Sequence, residues 1–157
     1  MFTNSQFVIA VHMMTILAGN CGQRVNSDIM AQSINTNAVI IRRILRKLVN
    51  GGLVSAASGA AGGSMLTRRP EQITLLDIYR IEGKQPVCLP GNKPNCSLGN
   101  NVRSVLSNKL ADAEQALEHK LAEITIADLY MECNIAEHAG VTAETSLVLN
   151  RKQPYKK

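Results

Sequence analysis

Residues 35–66 constrain this chain more than any other stretch, because one short segment has to supply both a buried face and an anion-facing one. The run Asn37-Ala-Val-Ile-Ile-Arg-Arg-Ile-Leu-Arg-Lys-Leu-Val-Asn50 leads into Gly51-Gly52 and then into two short apolar runs around a glycine-rich turn. Asn37 can accept a hydrogen bond from the first-turn amides, and Gly51 can take the left-handed conformation that ends a helix. Between these caps Ile41, Ile44, Leu45 and Leu48 share one face at helical spacing, while Arg42, Arg43, Arg46 and Lys47 occupy the rest of the circumference. An amphipathic basic helix running straight into a hairpin is the pattern of a recognition helix and its wing, and the anion it would meet is phosphate. The competing reading is a solvated surface helix that happens to be basic.

The preceding residues favour the first reading. Ser5 or Asn4 opens a helix carrying Phe7, Val8, Val11, Met14, Ile16, Leu17 and Ala18, apolar around most of its surface and stopped by Gly19-Asn20. No Lys or Arg precedes it and His12 interrupts it, so it reads as a core helix and not as a targeting or membrane segment. Asn26 or Ser27 opens a short second helix, with Ile29, Met30 and Ala31 as its inner face and Asp28 at the positive end of its dipole. The break Asn35-Thr36-Asn37 then gives helix-turn-helix spacing. After Gly52, strands over 53–57 and 64–67 flank Ser58-Gly59-Ala60-Ala61-Gly62-Gly63. A phosphate-gripping nucleotide loop would open a helix and carry Lys followed by Ser or Thr, and this loop does neither. Arg68 and Arg69 close the hairpin with two positive charges where a wing would meet a nucleic-acid backbone.

Beyond the hairpin, Thr74-Leu-Leu-Asp77 predicts a capping-box start for a helix ended by Gly83. A Pro- and Gly-rich loop over 84–99 holds Cys88 and Cys96. The longest helical pattern runs over 101–124, with Val102, Leu106, Leu110, Ala113, Leu117, Leu121 and Ile124 spaced by threes and fours. Covering each leucine of that stripe is worth roughly 1.5–3 kcal/mol, so it calls for a partner helix, most simply its own copy in a twofold dimer. Thr125-x-x-Asp128 starts a last helix over 126–138, expected to pack back on the long one. The polar remainder ends in basic residues. The organisation expected is a winged helix-turn-helix DNA-binding domain over 1–83, a cysteine loop over 84–99, dimerisation helices over 100–138 and a basic tail over 139–157.

Composition narrows the partner. Seventeen Lys and Arg against twelve Asp and Glu give a net charge of +5, which suits a polyanion. With no Trp, two Phe and three Tyr, the chain lacks the stacking platforms of single-strand binders, so double-stranded DNA fits better. The four cysteines, Cys21, Cys88, Cys96 and Cys133, are too scattered for a disulfide scaffold and suit a reducing cytoplasm. Enzyme readings lack support, because no nucleophile context, His-Glu-x-x-His run or paired-carboxylate arrangement appears.

The order helix, helix-turn-helix, glycine hairpin, short helix, cysteine loop, long helix resembles the Rrf-two family of bacterial transcription regulators. That family includes regulators of iron-sulfur cluster assembly, of nitric-oxide response and of cysteine metabolism. The residues that carry the resemblance are Asn35-Thr-Asn37 leading into 39–48, Gly52-Leu53-Val54-Ser55, Gly59-x-x-Gly62-Gly63, Leu66 with Pro70, and Ile73-Thr-Leu-x-Asp-Ile78. Within the family the chain is most similar to the cluster-free branch.

The resemblance implies a mainly α fold with a small β-hairpin, a winged helix-turn-helix plus a long C-terminal dimerisation helix, acting as a homodimeric repressor. In the DNA-binding reading, contact falls to Thr36, Asn37, Val39, Arg42, Arg43, Arg46, Lys47, Arg68 and Arg69, with Arg42 the expected base reader because it lies nearest the helix start on the outer face. Two departures stand out: Ser58 where many relatives have Arg in the wing, and Ser64 where they have an aromatic residue. Cluster-binding relatives carry three loop cysteines and a fourth ligand shortly after. Here only Cys88 and Cys96 are present, and the position three beyond Cys96 is Gly99, so the ligand set for an iron-sulfur cluster is incomplete and no cofactor is expected. Cys88 and Cys96 stay open as incidental residues, as a thiol switch, or as part of a metal-binding sensor completed from elsewhere. A winged-helix protein-interaction module without DNA binding is a further alternative.

Overall fold

A computed structural model describes residues 5–59, 62–83 and 96–138. The expectations for Cys88, most of the cysteine loop and the basic tail fall outside these residues. The chain is mostly helical, in the order α1 (Ser5–Gly19), α2 (Ser27–Ile34), α3 (Ala38–Asn50), β1 (Val54–Ala57), β2 (Gly63–Leu66), a 3-10 turn (Pro70–Gln72), α4 (Leu75–Glu82), α5 (Ser97–Glu123) and α6 (Ile126–His138).

The core gathers around α1. Phe7, Ala10, Met13, Met14 and Leu17 pack with Met30 of α2, with Ile41, Ile44 and Leu48 of α3, and with Ile78 of α4. Val8 is exposed, and so is Ile29 of α2, so both leave the inner faces expected for them. The caps of α2 and α3 are asparagines: Asn26 Oδ1 accepts from the Asp28 amide at 3.0 Å, and Asn37 Oδ1 from the Val39 amide at 2.8 Å. Asn35 takes the left-handed conformation (φ 53°) that turns the chain between them.

The end of α3 differs from expectation. Gly51 stays right-handed (φ −78°) and Gly52 carries the positive φ of 74°. Gly51 serves another purpose: a Cβ there would run into the end of the Ile81 side chain, so its absence lets α3 lie close to α4 without displacing Ile81. The wing pairs antiparallel with Val54 opposite Leu66 and Ala57 opposite Gly63. Thr67 seals its base, donating from Oγ1 to the Gly52 carbonyl at 2.6 Å and from its amide to Leu53 at 3.1 Å. A third segment joins at Val25, which exchanges two 2.9 Å hydrogen bonds with Ser64. Ser64 is thereby buried, so this departure from the family pattern is a matter of packing.

The long helix begins at Ser97, earlier than expected, capped by Cys96, whose Sγ accepts from the Gly99 amide at 3.2 Å. Its apolar stripe is divided. Leu121 is buried (7% exposed) and Leu117 packs partly against the same core, so these two expected dimer residues serve their own subunit. Val102 (54% exposed) and Leu106 (42%) stand open, as do Leu98 and Val105, while Leu110 is half-buried and Ala113 exposed. The sequence predicts that the last helix packs back on α5, but it packs chiefly across α1 and against the 3-10 turn.

Two Thr-x-x-Asp capping boxes hold this end together. Thr74 and Asp77 cap α4 reciprocally at 3.2 and 3.0 Å, and Thr125 and Asp128 do the same for α6 at 3.1 and 2.9 Å. The two threonines also form a bridge, with the Leu75 amide donating to Ile124 and the Ile126 amide to Ile73, each at 2.9 Å. Thr74→Ala and Thr125→Ala should each lower stability by about 1 kcal/mol in urea titrations. The Thr125 hydroxyl and amide hold the Asp128 carboxyl below its ordinary range. Its contribution is therefore complete above the unfolded value of about 3.9 and lost as pH falls through the lower folded value, and Asp128→Asn should remove that part of the acid sensitivity.

Candidate nucleic-acid interface

Burial of Ile41, Ile44, Leu45 and Leu48 fixes how α3 is rotated, and thus which residues it presents. The opposite stripe, at spacings of four, three and four, is Val39, Arg43, Arg46 and Asn50, all exposed. Val39 is 67% exposed, which places its methyl groups on the same outward surface as the two arginines. Among the described residues Arg43 and Arg46 make no ion pair. Their charge is available to an outside anion.

The other two cations of α3 sit on its flanks. Arg42 Nη2 donates to Asp28 Oδ1 of α2 at 3.1 Å, with both side chains largely exposed. Lys47 turns inward, contrary to its expected place on the DNA side. Its Nζ donates to Glu82 Oε2 at 2.9 Å and to Gln6 Oε1 at 3.2 Å. The reason is Glu82, whose side chain is only 1% exposed at the end of α4 and whose Oε1 has no hydrogen-bond partner among the described residues. A carboxylate that far from water needs a cation, and among the described residues Lys47 supplies it.

At the turn, Thr36 is half-buried and Asn37 exposed, but Asn37 Oδ1 is spent on the Val39 amide, leaving its Nδ2 as a donor for other groups. Arg68 and Arg69 are exposed just after β2, likewise without an ion pair among the described residues. Sequence reading missed Arg24. It is exposed beside the wing, where its Nη1 donates to the Gly63 carbonyl at 3.1 Å across 39 residues of chain. No local pattern signals that contact. Asp28 was legible only as a helix-dipole residue, and its pairing with Arg42 depends on the packing of α2 against α3.

Fold and site together define a winged helix-turn-helix, with one cationic helix exposed beside a two-stranded wing. The profile of Rrf2, described as an iron-dependent transcriptional regulator, matches residues 3–132, and the chain belongs to this family. Bacillus subtilis (strain 168) YwnA, named as an HTH-type transcriptional regulator, is 28% identical over 129 residues, 80% of this chain and 95% of YwnA. A transcriptional regulator from Lactobacillus plantarum has a solved structure with a TM-score of 0.71 at 24% identity, covering 85% of this chain and 95% of that one. CymR (YrzC), the global cysteine regulator of B. subtilis, gives 0.63 at 22% identity over 84% and 98%. Both structures speak to the fold alone. The family's regulators are not enzymes.

The family description raises the question of iron. Cys96 Sγ accepts the capping hydrogen bond of α5, Gly99 has no side chain to ligate a metal, and no cluster of three or more His, Cys, Asp or Glu side chains among the described residues could hold a metal ion. Cys21 and Cys133 are free and exposed in other parts of the fold. The described residues alone do not make up a ligand set.

Lys47→Ala should leave Glu82 buried without its cation. We expect a loss of about 2–3 kcal/mol, below the 3–5 kcal/mol typical of a fully buried pair because Lys47 is partly solvated. Replacing both, as Lys47→Met with Glu82→Leu, should recover most of it in the same denaturation assay.

Proposed function

We propose that this chain is a DNA-binding transcriptional repressor that acts as a homodimer, placing α3 of each subunit in successive major grooves of a pseudo-palindromic operator. One observation carries the reading: the outward stripe of α3 offers Val39, Arg43 and Arg46 together, exposed and without ion pairs among the described residues, beside a wing flanked by Arg24, Arg68 and Arg69. Arginines supply phosphate contacts and bidentate guanine contacts, and the Val39 methyls suit the 5-methyl group of thymine. Thr36 and the Asn37 amide lie at the helix start, where side chains reach base edges or phosphate. Lys47 drops out of the contacting set. A protein-interaction module needs no such cationic stripe.

The dimer rests on the outer part of α5. Leu98, Val102, Val105 and Leu106 are apolar and uncovered on one helix, the arrangement a twofold helix pair buries. No helix among the described residues is long and apolar enough to cross a membrane, and we place the protein in the cytoplasm. We also read it as free of an iron-sulfur cluster. Anaerobically purified protein should lack the visible absorbance of such a cluster. Cys96 keeps a redox reading: it is exposed and caps α5, so an adduct on its sulfur would disturb the first turn of the dimer helix.

Mobility-shift titrations against the protein's own promoter region should show affinity that falls steeply with salt. Arg43→Ala and Arg46→Ala should weaken binding, and each arginine that no longer neutralises a phosphate should lower the salt slope by about one, whereas Lys47→Ala should leave the slope unchanged. Affinity indifferent to salt and to sequence would remove the reading. Leu106→Glu should yield folded monomers by sedimentation, with operator affinity abolished.

A further inference from the structure

Resting on the DNA-binding reading above, we propose that Arg42 reads a guanine in each half-site and that Asp28 is the positioning residue that aims it. The three arginines of α3 differ in one respect. Among the described residues, Arg43 and Arg46 have no ion pair, whereas Arg42 is tied to a neighbouring helix through the 3.1 Å contact from Nη2 to Asp28 Oδ1. Guanine is recognised in the major groove by two parallel N–H donors from one guanidinium, to O6 and N7, which requires the guanidinium plane to be aligned with the base. A free arginine samples many rotamers. A carboxylate that accepts from one edge restricts that plane and leaves the remaining N–H donors for a base.

Plain electrostatics argues against an acid at this place. Asp28 stands 62% exposed in the first turn of α2, beside the helix that would face the phosphates, where its charge repels DNA. As an ion pair in solvent it adds little to stability. As a first-turn acid it also suits the dipole of α2, a modest contribution that requires no contact with Arg42. Orientation of Arg42 is the role that offsets the repulsion, and it makes a prediction of opposite sign for affinity and for selectivity.

The test uses the full-length protein and a randomised duplex library. Sequences enriched by the wild type are resynthesised with adenine in place of each guanine of the half-site. Affinities are then measured for wild type, Arg42→Ala, Arg43→Ala, Asp28→Asn and Asp28→Glu. At one guanine per half-site the wild type should discriminate by about tenfold to a hundredfold. Both Arg42→Ala and Asp28→Asn should collapse that preference to within about threefold, while Asp28→Asn binds unselected duplex as well as or better than wild type. Asp28→Glu should restore part of the preference, and Arg43→Ala should leave it in place at that position. Asp28→Asn retaining the full preference would overturn the positioning role, and Arg42→Ala retaining it would overturn the guanine assignment. Circular dichroism confirms that each variant is folded. A wild type that enriches no sequence and binds DNA without salt dependence would instead overturn the DNA-binding reading, and this assignment with it.

Discussion

Removal of Ile41, Ile44, Leu45 and Leu48 from water is the interaction on which the rest of the structure depends. Four such side chains contribute on the order of 6–12 kcal/mol gross, whereas an exposed ion pair such as Arg42 with Asp28 contributes at most about 1 kcal/mol. The apolar side therefore sets the rotation of α3, and the charges take the positions left over. A turn of one residue about the helix axis would drive an arginine into the core and expose an isoleucine. The outward stripe is thus a consequence of packing, as firmly set as the core itself.

The flank of α3 that faces α4 is governed by a different balance. Gly51 allows the two helices to approach, with Ile81 filling the space a side chain would take. Glu82 then lies too deep to be solvated, and Lys47 and Gln6 converge on its neighbourhood from α3 and α1. Such a pair adds little net stability compared with apolar residues of the same size, because both charges lose hydration. Its geometry is nevertheless strict, since any displacement of α3 from α4 would leave a buried carboxylate unpaired. Three helices are pinned at one point by the cost of separating them.

Much of this was legible in the sequence, for reasons that can be named. The Asn caps, both Thr-x-x-Asp boxes, the amphipathic period of α3 and the glycine hairpin are local patterns, and each appears where its residues predict it. What the sequence hid is tertiary. Nothing near Lys47 announces a buried acid 35 residues away, and Arg46 and Lys47 read alike until the rotation of α3 is known. Val25 gives no sign that it will pair with Ser64, nor Arg24 that it will reach Gly63. The stripe of α5 shows the limit most clearly: its spacing says that one face is apolar, but not that part of that face is covered by its own subunit.

That division of α5 bears on how the two recognition helices of a dimer would be spaced. The inner part of α5 is anchored: Leu121 lies in the core, Arg80 of α4 holds Glu118 at 3.1 Å, and the Thr74 to Thr125 bridge ties the start of α4 to the end of α5. Its other end projects with an uncovered apolar face. A helix clamped at one end and sticky at the other fixes a partner at a set distance from its own α4. Because α4 in turn packs on α3 at Gly51 and Ile81 and through the Lys47–Glu82 pair, that distance would pass to α3 through direct contacts. In the proposed dimer, the separation of half-sites would then follow from side-chain packing along α5, α4 and α3.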